Sequence, residues 1–144
     1  MVSTQSVLLA FALACTPQID LADEPCHLAT DLLVTTGDGA TIALHHHPGK
    51  GPAVLLVHGV SSNARFWDLD ADHSLAVWLV QNGFDPWLLD LRGHGSARRD
   101  ADGTPQISGW TVDDYGTHDV ATAVDYVRDV TGEPQVGYIG HSMG

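Results

Sequence analysis

A chain of 144 residues, 44% hydrophobic and 17% charged, has room for one domain at most and reads as an ordinary soluble globular sequence. Six basic residues stand against 18 acidic ones, a net charge of −12. That balance excludes the phosphate neutralisation on which non-specific nucleic-acid binding rests, and it disfavours anionic partners.

Residues 7–15, VLLAFALAC, form an apolar run near the N-terminus. It is too short for a bilayer, which takes about 20 residues, but it suits the apolar region of a secretory leader. Ala12-Leu13-Ala14-Cys15 resembles a bacterial lipoprotein cleavage box, in which the cysteine is lipidated. Ala12 stands where leucine is usual, and the opening MVSTQS has no Lys or Arg. The expectation is a leader over 1–15 and an exported protein, secreted or held at the cell envelope and its membrane through Cys15. The alternative is a leader without a role and a cytoplasmic protein. A Cys15–Cys26 disulfide stays open if Cys15 survives processing. Residues 16–30, with two prolines and no periodicity, read as a polar tether.

Order is expected from about Asp31. DLLVTT and TIALHHH are rich in strand formers and flank Asp38-Gly39, a good hairpin turn. After Gly49-Lys50-Gly51-Pro52, the unalternating run AVLLVHG predicts a strand buried on both faces, as in a parallel sheet. SLAVWLVQNG predicts a helix with Leu75, Trp78, Leu79 and Val80 on its apolar face and a stop at Asn82-Gly83. FDPWLLDL predicts the next strand, weakened at its start by Pro86. Arg92 to Gln106 reads as a loop. A long helix begins near Thr111, with a capping-box-like TVDD and a stripe of Val120, Ala123, Val124 and Val127. Gly132 and Pro134 end it, and QVGYIG predicts one more short buried strand. This order predicts an α/β fold: a mainly parallel sheet with helices on both faces, led by an antiparallel hairpin. Ligands then sit at the carboxyl ends of the strands.

Three loops leave that edge. LLVHGVSSNARFWD turns at His58-Gly59 and can aim an amide at a reacting oxygen. LLDLRGHGSARRD follows the next strand. In VGYIGHSMG, Gly140-His141-Ser142-Met143-Gly144 fits G-x-S-x-G, a serine on a tight strand-to-helix turn. With these three motifs in order over about residues 31–144, the chain resembles the α/β-hydrolase superfamily. Its wording is similar to acid-lipase-like members and, less closely, to polyhydroxyalkanoate-synthase-like ones.

The resemblance implies Ser142 as nucleophile, with the backbone N–H groups of Met143 and Val60 as the oxyanion hole. It implies that Gly140 and Gly144 permit the close turn. Asp90, Arg92, Gly93, Gly95 and Ser96 match its D-x-R-G-x-G-x-S loop, where Asp90 and Arg92 organise the loop without doing chemistry. His58 with Gly59 is expected under the oxyanion loop, His94 exposed beside the cleft, and His118 on the helix surface. Asp113, Asp114, Asp125 and Asp129 read as a solvated face, with Asp119 a packing buttress. His45, His46 and His47 alternate faces on a strand and do not converge on a metal. Neither a cofactor nor a metal is implied.

The function implied is hydrolysis of carboxylic esters, small-molecule or lipid, through an acyl-enzyme on Ser142. The synthases carry cysteine at this position, and dehalogenases and epoxide hydrolases carry aspartate. The alternatives are another acyl transfer, by a peptidase or acyltransferase, and a non-catalytic binding protein on the same fold. The family's triad runs Ser, then Asp or Glu, then His, and only the first member occurs here. The expectation is therefore the N-terminal part of a longer hydrolase, truncated after the elbow and inactive alone.

Overall fold

The computed structural model describes residues 30–144. The leader with Cys15, Cys26 and the tether up to residue 29 lie outside the described residues. Thr30, the last tether residue, already stands in the first strand.

Strands β1 (Thr30–Thr35) and β2 (Thr41–His46) pair antiparallel, with Leu33 opposite Ala43. Gly39 turns the hairpin at φ 91°, where a side chain would be strained. Then come β3 (Ala53–Val57), α1 (Leu75–Gln81) and β4 (Asp85–Asp90). A helical stretch follows as α2 (Val112–Asp114), a π segment (Tyr115–Val120) and α3 (Ala121–Thr131), before β5 (Gly137–Gly140). The sheet runs β1-β2-β4-β3-β5. β3 lies parallel to β4 and β5, and only β2 opposes the common direction. This is the expected mainly parallel α/β sheet with an antiparallel hairpin at its N-terminal side.

The apolar run of β3 is buried at all five positions because each face of the sheet is covered. Leu55 and Val57 pack with Trp87, Leu89 and Leu91 against Ala123 and Val127 of α3. Their neighbours Val54 and Leu56 pack with Leu88 on the other face, against Ala76 and Leu79 of α1 and Trp67 of a 3₁₀ turn. Each side chain wholly withdrawn in this way contributes about 1.5–3 kcal/mol. Ser74 starts α1 by accepting the Val77 N–H at 3.0 Å.

Two expectations are corrected. Trp78 is 54% exposed, and the inward face of α1 is Ala76 and Leu79, since the small alanine lets the helix settle close to the sheet. Among the described residues β5 pairs only with β3, and its strand positions lie mostly exposed. Pro86 sits inside β4 without breaking it. Its carbonyl accepts the His47 N–H at 3.1 Å, just past the last paired residue of β2, so its missing N–H falls where the β2–β4 ladder has ended. Among the described residues no helix is long and apolar enough to cross a membrane.

Candidate active site

β3, β4 and β5 bring their carboxyl ends to one edge of the sheet, and the three predicted loops open there. At the third, the His141 N–H donates to Val57 O at 3.0 Å, extending the β5–β3 ladder by one step. The Gly144 N–H donates to His141 O at 3.0 Å and closes a turn over Ser142 and Met143. Inside that turn Ser142 takes φ 59°, a left-handed conformation that costs a non-glycine residue roughly 1–3 kcal/mol. The turn holds Ser142 exposed, and Met143 packs its side chain back against the core. Two glycines make the turn fit. A Cβ on Gly144 would collide with the Val57 and His58 carbonyl oxygens, and one on Gly140 with the Gly144 carbonyl.

The loop after β3 reaches the same place. A Cβ on Gly59 would stand 2.9 Å from the Ser142 Cβ and 3.0 Å from His141 O, so the two loops touch only because that position is bare. Val60 follows, two-thirds exposed. Among the described residues, neither the Val60 nor the Met143 backbone N–H donates to another protein group. Gly59→Ala is expected to push this loop off Ser142 with little loss of folding. A crystal structure of the variant beside thermal melts checks this, and an unmoved loop would remove the steric argument.

His58 is fully buried below the loop. Its Nδ1–H donates to Gly59 O at 2.8 Å, and its Nε2 accepts the Leu91 N–H at 3.3 Å. Burial holds its pKa below the ordinary histidine value, so the ring is a neutral strut between two loops. The His141 ring stacks on Phe66 at 4.4 Å. His94 is half-buried rather than exposed, tilted against His58 with centroids 5.1 Å apart. No hydrogen bond among the described residues joins any of these rings to Ser142.

The loop after β4 is built on two charged nodes. Asp90 Oδ1 accepts the Ala64 N–H at 2.6 Å, and Oδ2 accepts the Ser96 N–H at 2.7 Å and pairs with His45 Nε2 at 2.9 Å. Burial alone would raise the Asp90 carboxyl; its three partners outweigh that and hold it below the ordinary value. Gly95 is bare because a Cβ there would strike this carboxylate. Arg92 Nε donates to Asp119 Oδ1 at 2.8 Å, and the Arg92 backbone N–H donates to Oδ2 at 3.0 Å. The rest of the guanidinium grips Asp38 of the hairpin turn in a two-point pair at 2.6 and 2.9 Å. Asp119 is fully buried, the buttress the sequence suggested. Its pairing with Arg92, and the reach of Asp38 across 54 residues, carry no local sequence signal.

The three consecutive histidines separate. His45 lies between Asp31 and Asp90, His46 pairs with Asp85 at 2.7 Å and stacks on Trp87, and His47 sits 3.4 Å from Asp68. Asp38, Asp114 and His118 bring ligand-type atoms within 4.8 Å of one another, but Arg92 already neutralises Asp38.

Comparison with known proteins fits this geometry. The family described as alpha/beta hydrolase fold matches residues 52–144. Gastric triacylglycerol lipase of Homo sapiens is 32% identical over 124 residues, and lipase lipl-5 of Caenorhabditis elegans is 31% identical over 125. Each match takes in 77% of this chain and 31% of the relative, so the chain spans about a third of their length. Among solved structures, an epoxide hydrolase from an endophytic Streptomyces superposes with a TM-score of 0.54 at 30% identity, over 81% of this chain and 30% of the other. The Pyrococcus furiosus esterase Pf2001 gives a TM-score of 0.61 at 23% identity, over 81% of this chain and 43% of the other.

Proposed function

The chain belongs to the α/β-hydrolase family, and on that premise we propose that it carries the nucleophile of a lipase- or esterase-like serine hydrolase. The observation that carries the reading is Ser142, exposed and held at φ 59° on a tight turn after β5, against Gly59 of the neighbouring loop. Backbone strain of this kind persists where the surroundings impose it and a role repays it.

In this reading, Ser142 Oγ attacks the ester carbonyl carbon. The carbonyl oxygen becomes an oxyanion and accepts the Val60 and Met143 N–H groups, which no protein acceptor competes for among the described residues. The C–O bond to the alcohol breaks, the alcohol departs with a proton, and water cleaves the acyl-enzyme. A base must take the Ser142 proton first. None of the described histidines is assigned that role: His58 has both ring nitrogens engaged, and His141 stacks on Phe66.

The named relatives support lipid esters as the substrate class. The apolar run over 7–15 supports export, and Cys15 supports attachment to a membrane. The likeness to an epoxide hydrolase does not transfer that reaction, because opening an epoxide through a covalent ester asks for a carboxylate nucleophile, and position 142 offers a hydroxyl.

The test is a series of nitrophenyl esters with acyl chains from acetyl to palmitoyl, offered to the protein expressed from its native gene. Turnover that an organophosphonate titrates to zero at one equivalent is expected. No turnover at any chain length would end the esterase reading.

A further inference from the structure

Both ring nitrogens of His45 lie against carboxylate oxygens: Nδ1 is 2.6 Å from Asp31 Oδ1, and Nε2 is 2.9 Å from Asp90 Oδ2. A neutral imidazole has one N–H and one lone pair. In either tautomer, one of these contacts would set a lone pair against a carboxylate. Only the imidazolium satisfies both. His45 is mostly buried, Asp90 almost wholly so, and Asp31 is 62% exposed at the sheet edge.

Asp90 is the junction of the site's frame. Its carboxylate also receives the Ala64 N–H from the loop after β3 and the Ser96 N–H from the loop after β4. The first of those loops carries Gly59 and Val60. His45 therefore fixes the orientation of the one carboxylate that holds both loops, without touching Ser142. A cavity of about 260 Å³ opens beside this junction, with His45, Asp90, Arg65, Asp68 and His47 on its walls, so solvent protons reach it.

We propose that the Asp31–His45–Asp90 bridge is a proton-dependent clasp, in which His45 in its imidazolium form acts as a positioning residue for the oxyanion loop. The inference rests on the hydrolase reading of the same edge. The groups facing His45 are Asp31 from β1 and Asp90 from β4; across the cavity stand Arg65, Asp68 and His47, while His46 turns to Asp85. Burial by itself would lower the His45 pKa, and the bonds and charges of Asp90 and Asp31 outweigh it, leaving it above the ordinary histidine value. The clasp is thus closed below that raised value and opens as pH rises through it. The oxyanion loop loses its tie on the alkaline side, opposite in sign to a catalytic base, which must lose its proton to work.

Three measurements test this on the protein expressed from its native gene. An imidazole NMR titration should place His45 above the ordinary histidine range in the wild type, and lower in Asp31→Asn, which changes only an exposed carboxylate. Hydrogen exchange at the Ala64 and Ser96 amides should speed up as His45 loses its proton, by more than the general rise of exchange with pH. In ester hydrolysis, His45→Gln, whose neutral amide does not titrate, should lose about tenfold in kcat with KM little changed and should flatten the alkaline limb of the profile; Asp31→Asn should move that limb to lower pH. A His45 that titrates at or below the ordinary range, or variants whose pH profiles keep the wild-type shape, would overturn the clasp. Should the protein hydrolyse no ester, the function reading falls, while the titration and exchange still decide whether His45 holds the junction.

Discussion

Ser142→Ala, made in the protein expressed from its native gene, is expected to lower kcat for ester hydrolysis by on the order of 10⁴–10⁶ while leaving the fold intact. The side chain is exposed at the top of the turn, so its loss opens no cavity, and the turn's hydrogen bonds are all backbone. A companion variant tests the strain itself. At φ 59° an alanine keeps the left-handed penalty and a glycine does not, so Ser142→Gly should be more stable than Ser142→Ala by about 1 kcal/mol. Urea midpoints for the two variants measure that difference. Retained turnover in Ser142→Ala would remove the nucleophile assignment, and equal stability of the two would remove the strain argument.

The largest effect on folding is expected at Arg92. Arg92→Ala strips Asp119, fully buried, of two guanidinium contacts and leaves Asp38 with the Thr36 hydroxyl but no counter-ion. Breaking a buried pair from one side costs about 3–5 kcal/mol, because the remaining charge loses its counter-ion and keeps only the backbone N–H of residue 92. That is a large share of the roughly 5–15 kcal/mol that holds a domain together. Arg92→Lys keeps a cation but not the fork, and should lose about 1–3 kcal/mol.

The pH dependence of stability separates the two partners of Arg92. Hydrogen bonding to Arg92 holds the folded Asp38 carboxyl far below its unfolded value of about 3.9. Its contribution is therefore present above that value and fades as the solution is acidified. Burial pushes Asp119 the other way, and Arg92 opposes it. Without Arg92, Asp119 should titrate higher still when folded, giving stability that is present in acid and lost as pH rises. Urea unfolding at several pH values checks this: wild-type stability should climb as pH leaves the acid range, and that of Arg92→Ala should climb less, since Asp90 and the other depressed carboxylates remain.

How much of this was legible in the sequence depends on how locally each feature is encoded. The five unalternating apolar residues of β3 announce burial on two faces, because no other strand environment tolerates them. The elbow is legible for a similar reason: Gly140, Ser142 and Gly144 must be spaced as they are for a left-handed serine to clear the Val57 and Gly144 carbonyls. Edge position is not encoded locally. QVGYIG reads as a buried strand, and which neighbours cover it depends on sheet order and not on those six residues.

Helix facing is equally indirect. Trp78 is the largest apolar group in α1, but the sheet selects Ala76, whose smallness sets the approach. The π segment has no clear marker beyond Gly116, and it lies where Asp119 turns in to meet Arg92. Charged pairs across 27 and 54 residues, and the seat of His45 between two carboxylates, depend on strand register and could be found only once the sheet was assembled.

The central claim is that Ser142 forms the covalent bond to substrate. The most direct measurement is mass spectrometry of the protein after reaction with one equivalent of an aryl phosphonate ester. One adduct per chain, on the peptide holding Ser142 and absent from Ser142→Ala, is the expected result. An adduct on any other residue, or turnover that survives with Ser142 unmodified, would contradict it.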